Sequence, residues 1–499
     1  MSRLLKAAFL ATALSLPLAG NVLAEEVRIT FVQTNDIDQM EGVGDRGGFA
    51  KLATVLDQAR AAGPTIFVHS GDSISPSLLS GIDRGAHIID FLNRLDLDVM
   101  VPGNHEFDFG AEVFRERIAE ATFPIVATNV FEADGTHPAN TVTDVWMEVE
   151  GIRIAFYGLT TEDTPVVSSP GDITFANSVD TGMAKAEELR AAGADIVVAV
   201  VHTPMAVDMA LARAGAADLI LSGHDEYLMA FFDGRVAVTE SGAQSERVVT
   251  TTLVIDKTEA NGATTVTWYP VFNIVDTLGV EPSAEIAAVV ADYNAQLDEA
   301  LGAVIGTTAT AIDSRRAVVR GEEAAIGNLI ADAMRASVEA DVAITNGGGI
   351  RADREYAAGS ALTGRDIFAE LPFGNKTVKL ELTGAQLREA LENGFSQIEA
   401  GAGRFPQVSG LTVEVDRDAA PGARVLAITV GGEPVDDTRI YSVATNDFMA
   451  GGGDGYTVFV GAPHIITAID AVLMASQVIN YVELMGTISP AVEGRIVFR

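Results

Sequence analysis

From residue 26 to about residue 276, short apolar runs alternate with stretches whose apolar residues recur every three or four positions. The runs at 27–33, 65–68, 99–101, 125–129, 153–159, 196–201, 219–221 and 235–238 predict buried strands. Between them, 49–62, 86–95, 112–121, 178–192 and 206–214 carry helical spacing. The alternation predicts largely parallel strands with helices outside. Pro282 opens a further helical pattern over 283–301, with Ile286, Val289, Val290, Tyr293 and Leu297 apolar, and Gly302 interrupts it. It reads as a linker helix. Beyond it, helices are expected at 326–336 and at 384–392, the second capped by Thr383, and strands at 343–345 and 439–445. The expected fold is α/β and α+β in two domains, 25–280 and 303–499, joined by a helix at 281–302.

The first 24 residues follow another pattern. Arg3 and Lys6 precede an apolar stretch over 7–18, and Val22-Leu23-Ala24 supplies small-residue cleavage chemistry before Glu25. This predicts a signal peptide removed after Ala24 and a periplasmic or secreted protein. The stretch is short for a bilayer, and no second apolar run of about 20 residues follows, so no stable membrane anchor is expected. With 0 cysteines, the chain has no disulfide, thiolate ligand or cysteine nucleophile, which leaves core burial and metal as sources of stability. A formal charge of −36 disfavours nucleic-acid polymers and anionic membranes as partners. A small anionic substrate would need a local cluster of arginine or metal.

Candidate chemistry gathers where strands end. The runs in the first domain lead into Thr34-Asn35-Asp36-Ile37-Asp38, Ser70-Gly71-Asp72, Gly103-Asn104-His105-Glu106-Phe107-Asp108, Val201-His202 and Ser222-Gly223-His224-Asp225-Glu226. Ligands of open α/β sheets collect beyond the carboxyl ends of the strands, where all five motifs fall. Singly, Asp36 or Asp72 reads more often as a cap or turn residue than as a ligand, and His202 more often as a core histidine. His69, His87, His137 and His464 fit no motif and read as structural.

In order and spacing the five motifs resemble the calcineurin-type metallophosphoesterases, which hydrolyse phosphate esters at a two-metal centre. The resemblance implies a β-sandwich flanked by helices for the first domain. It implies one divalent ion at Asp72, Asn104, His202 and His224, and a second sharing Asp72 with positions 36, 38 and 226. It also implies a catalytic pair, His105 acting on the phosphoryl group or leaving oxygen and Asp108 orienting the imidazole. The family's first motif normally ends Asp-x-His, and its last carries His, Gln or Asn two places after the histidine. Here Asp38 and Glu226 stand instead. A ring of Asp36, Asp38, Asp72 and Glu226 suits a hard ion, Mn²⁺ or Mg²⁺, while Zn²⁺ or another transition metal fits the histidine-containing position.

The second half resembles the C-terminal, substrate-binding domain of 5′-nucleotidases and UDP-sugar hydrolases, a mixed α/β nucleotide-binding unit. The match rests on residues 319–323, 327–333, 346–351, 371–374 and 452–455. It implies phosphate contacts from Arg320, Asn346 and Arg351, a base held between Phe373 and Phe448, and ribose hydroxyls bound by Asp454. The expected function is hydrolysis of nucleoside 5′-monophosphates by an exported enzyme. UDP-sugars or 2′,3′-cyclic nucleotides are alternatives within the class. A thiosulfohydrolase of similar architecture and a nucleotide-binding protein with weak or lost catalysis are the competing readings. Base preference and oligomeric state are not encoded in any motif.

Overall fold

The computed structural model describes residues 26–260 and 263–499. The expected signal peptide lies outside the described residues. The first half is built on two sheets. The seven-stranded sheet runs, in spatial order, Ala263–Asp276, Arg247–Ala260, Val27–Thr34, Thr65–His69, Val99–Met100, Ile125–Val126 and Thr141–Val142. The six-stranded sheet runs Leu228–Phe232, Ala237–Ser241, Leu219–Ser222, Ile196–His202, Ile152–Thr160 and Val145–Val149.

Central strands of both sheets are parallel, as their continuous apolar runs predict. Antiparallel strands close three of the four edges, including the hairpin Arg247–Ala260 with Ala263–Asp276, which the periodicity does not announce, while Thr141–Val142 closes the fourth in parallel. The strand expected at 235–238 lies at Ala237–Ser241, because Asp233 ties Arg235 and Val236 into a turn through their backbone N–H groups at 2.8 and 2.7 Å.

The sheets pack face to face. Phe31, Ile66 and Val68 of one meet Phe156, Val198 and Leu221 of the other in a dry core. Burying each such side chain contributes roughly 2 kcal/mol before entropy is counted. Helices Phe49–Ala62, Ala86–Arg94 and Gly110–Glu120 cover the outer face of the first sheet, and Ser178–Ala191 with Met205–Ala214 covers the second. Buried Gln33 locks the sheets in register at their carboxyl ends, its amide donating to the carbonyls of Ser222 at 2.6 Å and Thr239 at 3.1 Å.

Helix Ala284–Leu301 packs Ile286 and Val290 into the first half's core. Near its other end the Asp298 carbonyl accepts from Arg365 at 3.0 Å, so the helix touches both halves. The second half holds a five-stranded sheet ordered Pro406–Ser409, Val342–Asn346, Ile440–Asn446, Thr377–Thr383 and His464–Ile466. Helices Ala325–Ser337 and Met474–Met485 cover one face and Gly384–Phe395 the other. Thr383 caps that last helix in a reciprocal pair, its hydroxyl accepting from Gln386 N at 3.2 Å while the Gln386 side chain accepts from Thr383 N at 2.9 Å. Among the described residues no helix is long and apolar enough to cross a membrane.

Candidate active site

At the shared carboxyl end of the two sheets the chain leaves each strand through a strained turn. Asp36, Asp72, His224 and Glu226 all have positive φ, at 50°, 58°, 92° and 56°. A non-glycine residue in this region is held there at a cost of about 1–3 kcal/mol, and such residues concentrate at functional sites. Gly103 must be glycine, because a Cβ there would run into the Asp72 carboxylate.

Four acceptor-capable groups converge. The carboxylate of Asp72 lies 2.9 Å from Nε2 of His202. Oδ1 of Asn104 lies 3.2 Å from that nitrogen and 3.0 Å from Nδ1 of His224, and the two ring nitrogens are 3.3 Å apart. Nδ1–H of His202 donates to the Ser70 carbonyl at 2.8 Å, so Nε2 is the nitrogen turned inward. Asp72, His202 and His224 offer ligand atoms within 4.8 Å of one another. Carboxylate, amide oxygen and two imidazoles crowded this closely repel unless protons or a cation lie between them. The donor set therefore fits a divalent transition ion.

The electrostatics follow from that crowding. Burial opposes ionisation of Asp72, but the His202, His105 and His224 rings outweigh it and hold the carboxyl well below its usual range. Burial likewise opposes charge on His202, and Asp72 overcomes it, raising the imidazole to about 10. Asp36 is pushed up to about 8 by burial, reinforced by Asp72. These protons are the ones a bound divalent cation would displace.

Asp36, Asp38 and Glu226 stand beside the cluster. The Asp36 carboxylate accepts from Asn35 at 2.7 Å and from the His224 backbone N–H at 3.2 Å. Asp38 is buried and takes the side-chain amide of Gln244, whose oxygen accepts the backbone N–H groups of Asp38 and Gln39 at 3.2 and 3.0 Å. Glu226 is exposed on the rim. The acids thus flank the tight cluster without joining it.

His105 and Asp108 are paired at 2.6 Å through Nδ1, and the Ser168 hydroxyl donates to the other Asp108 oxygen at 2.7 Å. Burial disfavours the imidazolium, yet Asp108 and Asp72 together raise it well above the ordinary value. Nε2–H of His105 donates to the Ile469 carbonyl of the second half at 2.8 Å.

Arg320, Asn346, Arg351, Phe373, Phe448 and Asp454 line one separate 420 Å³ cavity in the second half, none of whose walls comes from the first. Phe373 and Phe448 are 57% and 48% exposed, which core aromatics are not. The Arg351 guanidinium lies 5.1 Å over the Phe373 ring. Asp454 accepts from the Asn346 amide at 2.7 Å. Nε of Arg320 is buried without a hydrogen-bond partner, a donor left for an anion.

Sequence reasoning overlooked four contributors. Glu106 fixes the loops around Asp72, Gln244 grips Asp38, and Ser168 supports Asp108. Loss of solvent raises the carboxyls of Asp38 and Glu226, and Lys376 is the strongest charge opposing that rise. Gln244 had a signal, since it follows the strand end Ser241-Gly242 at the same edge. Lys376 had none locally. Among the unmatched histidines, His69 is buried with Nδ1 3.1 Å from the Thr34 hydroxyl, and burial pushes it down to about 3.

The comparisons with known proteins agree with this division. A calcineurin-like phosphoesterase model matches residues 29–225 and a 5′-nucleotidase C-terminal domain model matches 304–461. The chain is 30% identical to the trifunctional nucleotide phosphoesterase protein of Bacillus subtilis, over 90% of its own length but only 34% of that protein's. It is 27% identical to human 5′-nucleotidase, covering 94% of this chain and 91% of that one. The crystal structure of a 5′-nucleotidase precursor from Thermus thermophilus aligns with 95% of this chain and 99% of its own, at 27% identity and TM-score 0.53. The NAD nucleotidase of Haemophilus influenzae shares the fold over 95% and 99% of the two chains at TM-score 0.80, with 21% identity.

Proposed function

Because the chain belongs to the calcineurin-like phosphoesterases that carry a 5′-nucleotidase C-terminal domain, and is thus a phosphoric ester hydrolase, we propose that it removes phosphate from nucleoside 5′-monophosphates after export. The observation that carries the substrate class is the pairing of two exposed aromatics with Arg320 and Arg351 in one cavity, apart from the acceptor cluster. A base stacks between Phe373 and Phe448, the arginines and Asn346 take phosphate oxygens, and Asp454 takes the ribose hydroxyls. The same aromatics disfavour a thiosulfohydrolase, whose substrate has no base.

Asp72, Asn104, His202 and His224 would hold one divalent ion and Asp36, Asp38, Asp72 and Glu226 a second. When bound, the pair supplies Lewis acidity and an activated water. His105 turns its Nε2–H toward the charge that develops on the phosphoryl and leaving oxygens, and Asp108 keeps the ring oriented and protonated for that task. Ser70 fixes the ring of His202, and Glu106 fixes the backbone that aims Asp72. Since nucleotide pocket and catalytic cluster occupy different halves, turnover requires a rotation, which we assign to the segment around 276–306. That segment divides a catalytic domain at 25–280 from a substrate domain at 303–499.

Phosphate release from AMP by metal-stripped protein, with Mn²⁺, Mg²⁺, Ca²⁺, Zn²⁺ and Co²⁺ restored singly, tests the reading. Turnover with Mn²⁺ or Mg²⁺ above that with Zn²⁺ supports both the substrate class and the hard-ion position. Release from UDP-sugars or cyclic nucleotides but not AMP moves the substrate within the class. No release from any of them, with nucleotide still bound, identifies a binding protein.

A further inference from the structure

We propose that residues 467–470, together with Lys376, form a plug by which the second half caps the catalytic cluster of the first and excludes phosphate until the halves separate. The proposal rests on the hydrolase reading above. Ile469 and Asp470 stand 364 and 366 residues beyond the side chains they touch. The Ile469 carbonyl accepts the Nε2–H of His105 at 2.8 Å, and since Nδ1 already engages Asp108, no ring nitrogen of His105 remains for substrate. The Asp470 carboxylate, only 6% exposed, accepts from the Asn104 amide at 3.4 Å. Its second oxygen accepts from the Thr467 hydroxyl at 2.6 Å, and that hydroxyl also accepts from Ile469 N at 3.3 Å. The turn is therefore internally braced, and it offers acceptor oxygens and one negative charge where a phosphoryl group would.

The acid side is capped by the opposite charge. Lys376 shares a 380 Å³ cleft between the halves with Asp38 and Gln244. Among the described residues its ammonium makes no hydrogen bond or ion pair, and its charge acts on the carboxyls of Asp38 and Glu226. Lys376 pairs through its backbone with Leu473, which couples the two capping segments. The second half thus sets an anion against the imidazoles and a cation against the acids.

Along residues 373–376 the chain alternates between the two: Phe373 and Asn375 line the nucleotide cavity, while Gly374 and Lys376 line the cleft. The plug and the nucleotide pocket ride on one body. A rotation that brings the pocket to the cluster must therefore withdraw the plug, and apparent affinity falls by the fraction of molecules that are capped.

A cysteine pair tests this without touching the cluster. A Cβ built on Gly81 lies 3.6 Å from Cβ of Ser476 in the other half. That separation is within disulfide reach, and the chain has 0 native cysteines to interfere. Gly81→Cys with Ser476→Cys should lock this pose when oxidised. Inorganic phosphate is the probe, because it needs no nucleotide pocket, and calorimetry on the Mn²⁺-loaded protein is the readout. Oxidation should abolish phosphate binding and reduction should restore it. Asp470→Asn in the locked protein leaves the Ile469 carbonyl on His105 and should not recover it, whereas in the unlocked protein it should tighten binding about tenfold, the size of one charge-assisted hydrogen bond. Lys376→Met should tighten it in the same direction. Equal phosphate binding in oxidised and reduced protein, or weaker binding in both single variants, overturns the plug. Unlocked wild-type protein is assayed with AMP alongside, and failure there sinks the nucleotidase reading instead.

Discussion

Glu106 accepts the backbone N–H of Asp72 at 2.9 Å from a fully buried position. The same carboxylate accepts from Gly103 N at 2.5 Å and from both the backbone N–H and the hydroxyl of Ser73 at 2.8 Å. One side chain therefore sews together the two loops that deliver Asp72 and Asn104. Glu106→Ala would orphan these buried donors, each at about 1–3 kcal/mol, and should destabilise the protein by roughly 3–5 kcal/mol in urea titrations. Glu106→Gln keeps one acceptor oxygen and should lose less. A surface-sized change for Glu106→Ala would mean the loops hold without it.

The two departures at the acid position predict a metal preference that can be reversed. Replacing Asp38 and Glu226 by histidine converts oxygen ligation to mixed nitrogen–oxygen ligation. The double variant should shift from Mn²⁺ or Mg²⁺ toward Zn²⁺ or Co²⁺ in binding stoichiometry, read by mass spectrometry of the loaded protein, as well as in AMP turnover. An unchanged preference would place the selectivity elsewhere, in the geometry around Asp72.

Much of this architecture is legible in sequence, for a physical reason. Strands buried on both faces read as unbroken apolar runs, so Ile196–His202 and its neighbours stand out and the motifs at their ends are located with them. Thr383, three residues before Gln386, announces its helix by the chemistry of capping. The hairpin Arg247–Ala260 with Ala263–Asp276 escapes notice because threonines interrupt its apolar residues and no helix separates its strands. At the site, donor types at strand ends are legible one by one. What supports them is not: Gln244 lies 206 residues from Asp38, and Ile469 lies 364 from His105, and no local pattern encodes contacts at such separations.

Buried Glu240 sets a pH dependence of stability. One carboxylate oxygen accepts from Tyr227 N at 3.0 Å and the other is buried without a partner. Burial, reinforced by Asp36, raises the carboxyl from 4.5 to about 9. The folded protein thus keeps a proton that the unfolded chain loses above 4.5, so this group's contribution to stability falls as pH rises through that window. The slope is at most about 1.4 kcal/mol per pH unit. Glu240→Gln removes it, and thermal melts of metal-stripped protein should show the variant gaining on wild type steadily from the weakly acidic range to about 9. A difference that stays constant with pH would show that Glu240 is ionised in the fold.

The nucleoside pocket predicts a separation of binding from chemistry. Asp454 sits in a left-handed turn at φ 54° and receives the Asn346 amide at 2.7 Å, which points its carboxylate into the cavity. Asp454→Ala should raise KM for AMP while leaving hydrolysis of p-nitrophenyl phosphate, which has no ribose, near its wild-type rate. Phe373→Ala removes one stacking face, worth about 1–3 kcal/mol per base, and should raise KM roughly tenfold for AMP, GMP and UMP alike. The parallel loss across bases is the discriminating result, because stacking needs only a π-face whereas edge hydrogen bonds would single out one base. Equal damage to p-nitrophenyl phosphate and to nucleotides would instead mean that these residues hold the second half together, and the base would have to be bound elsewhere.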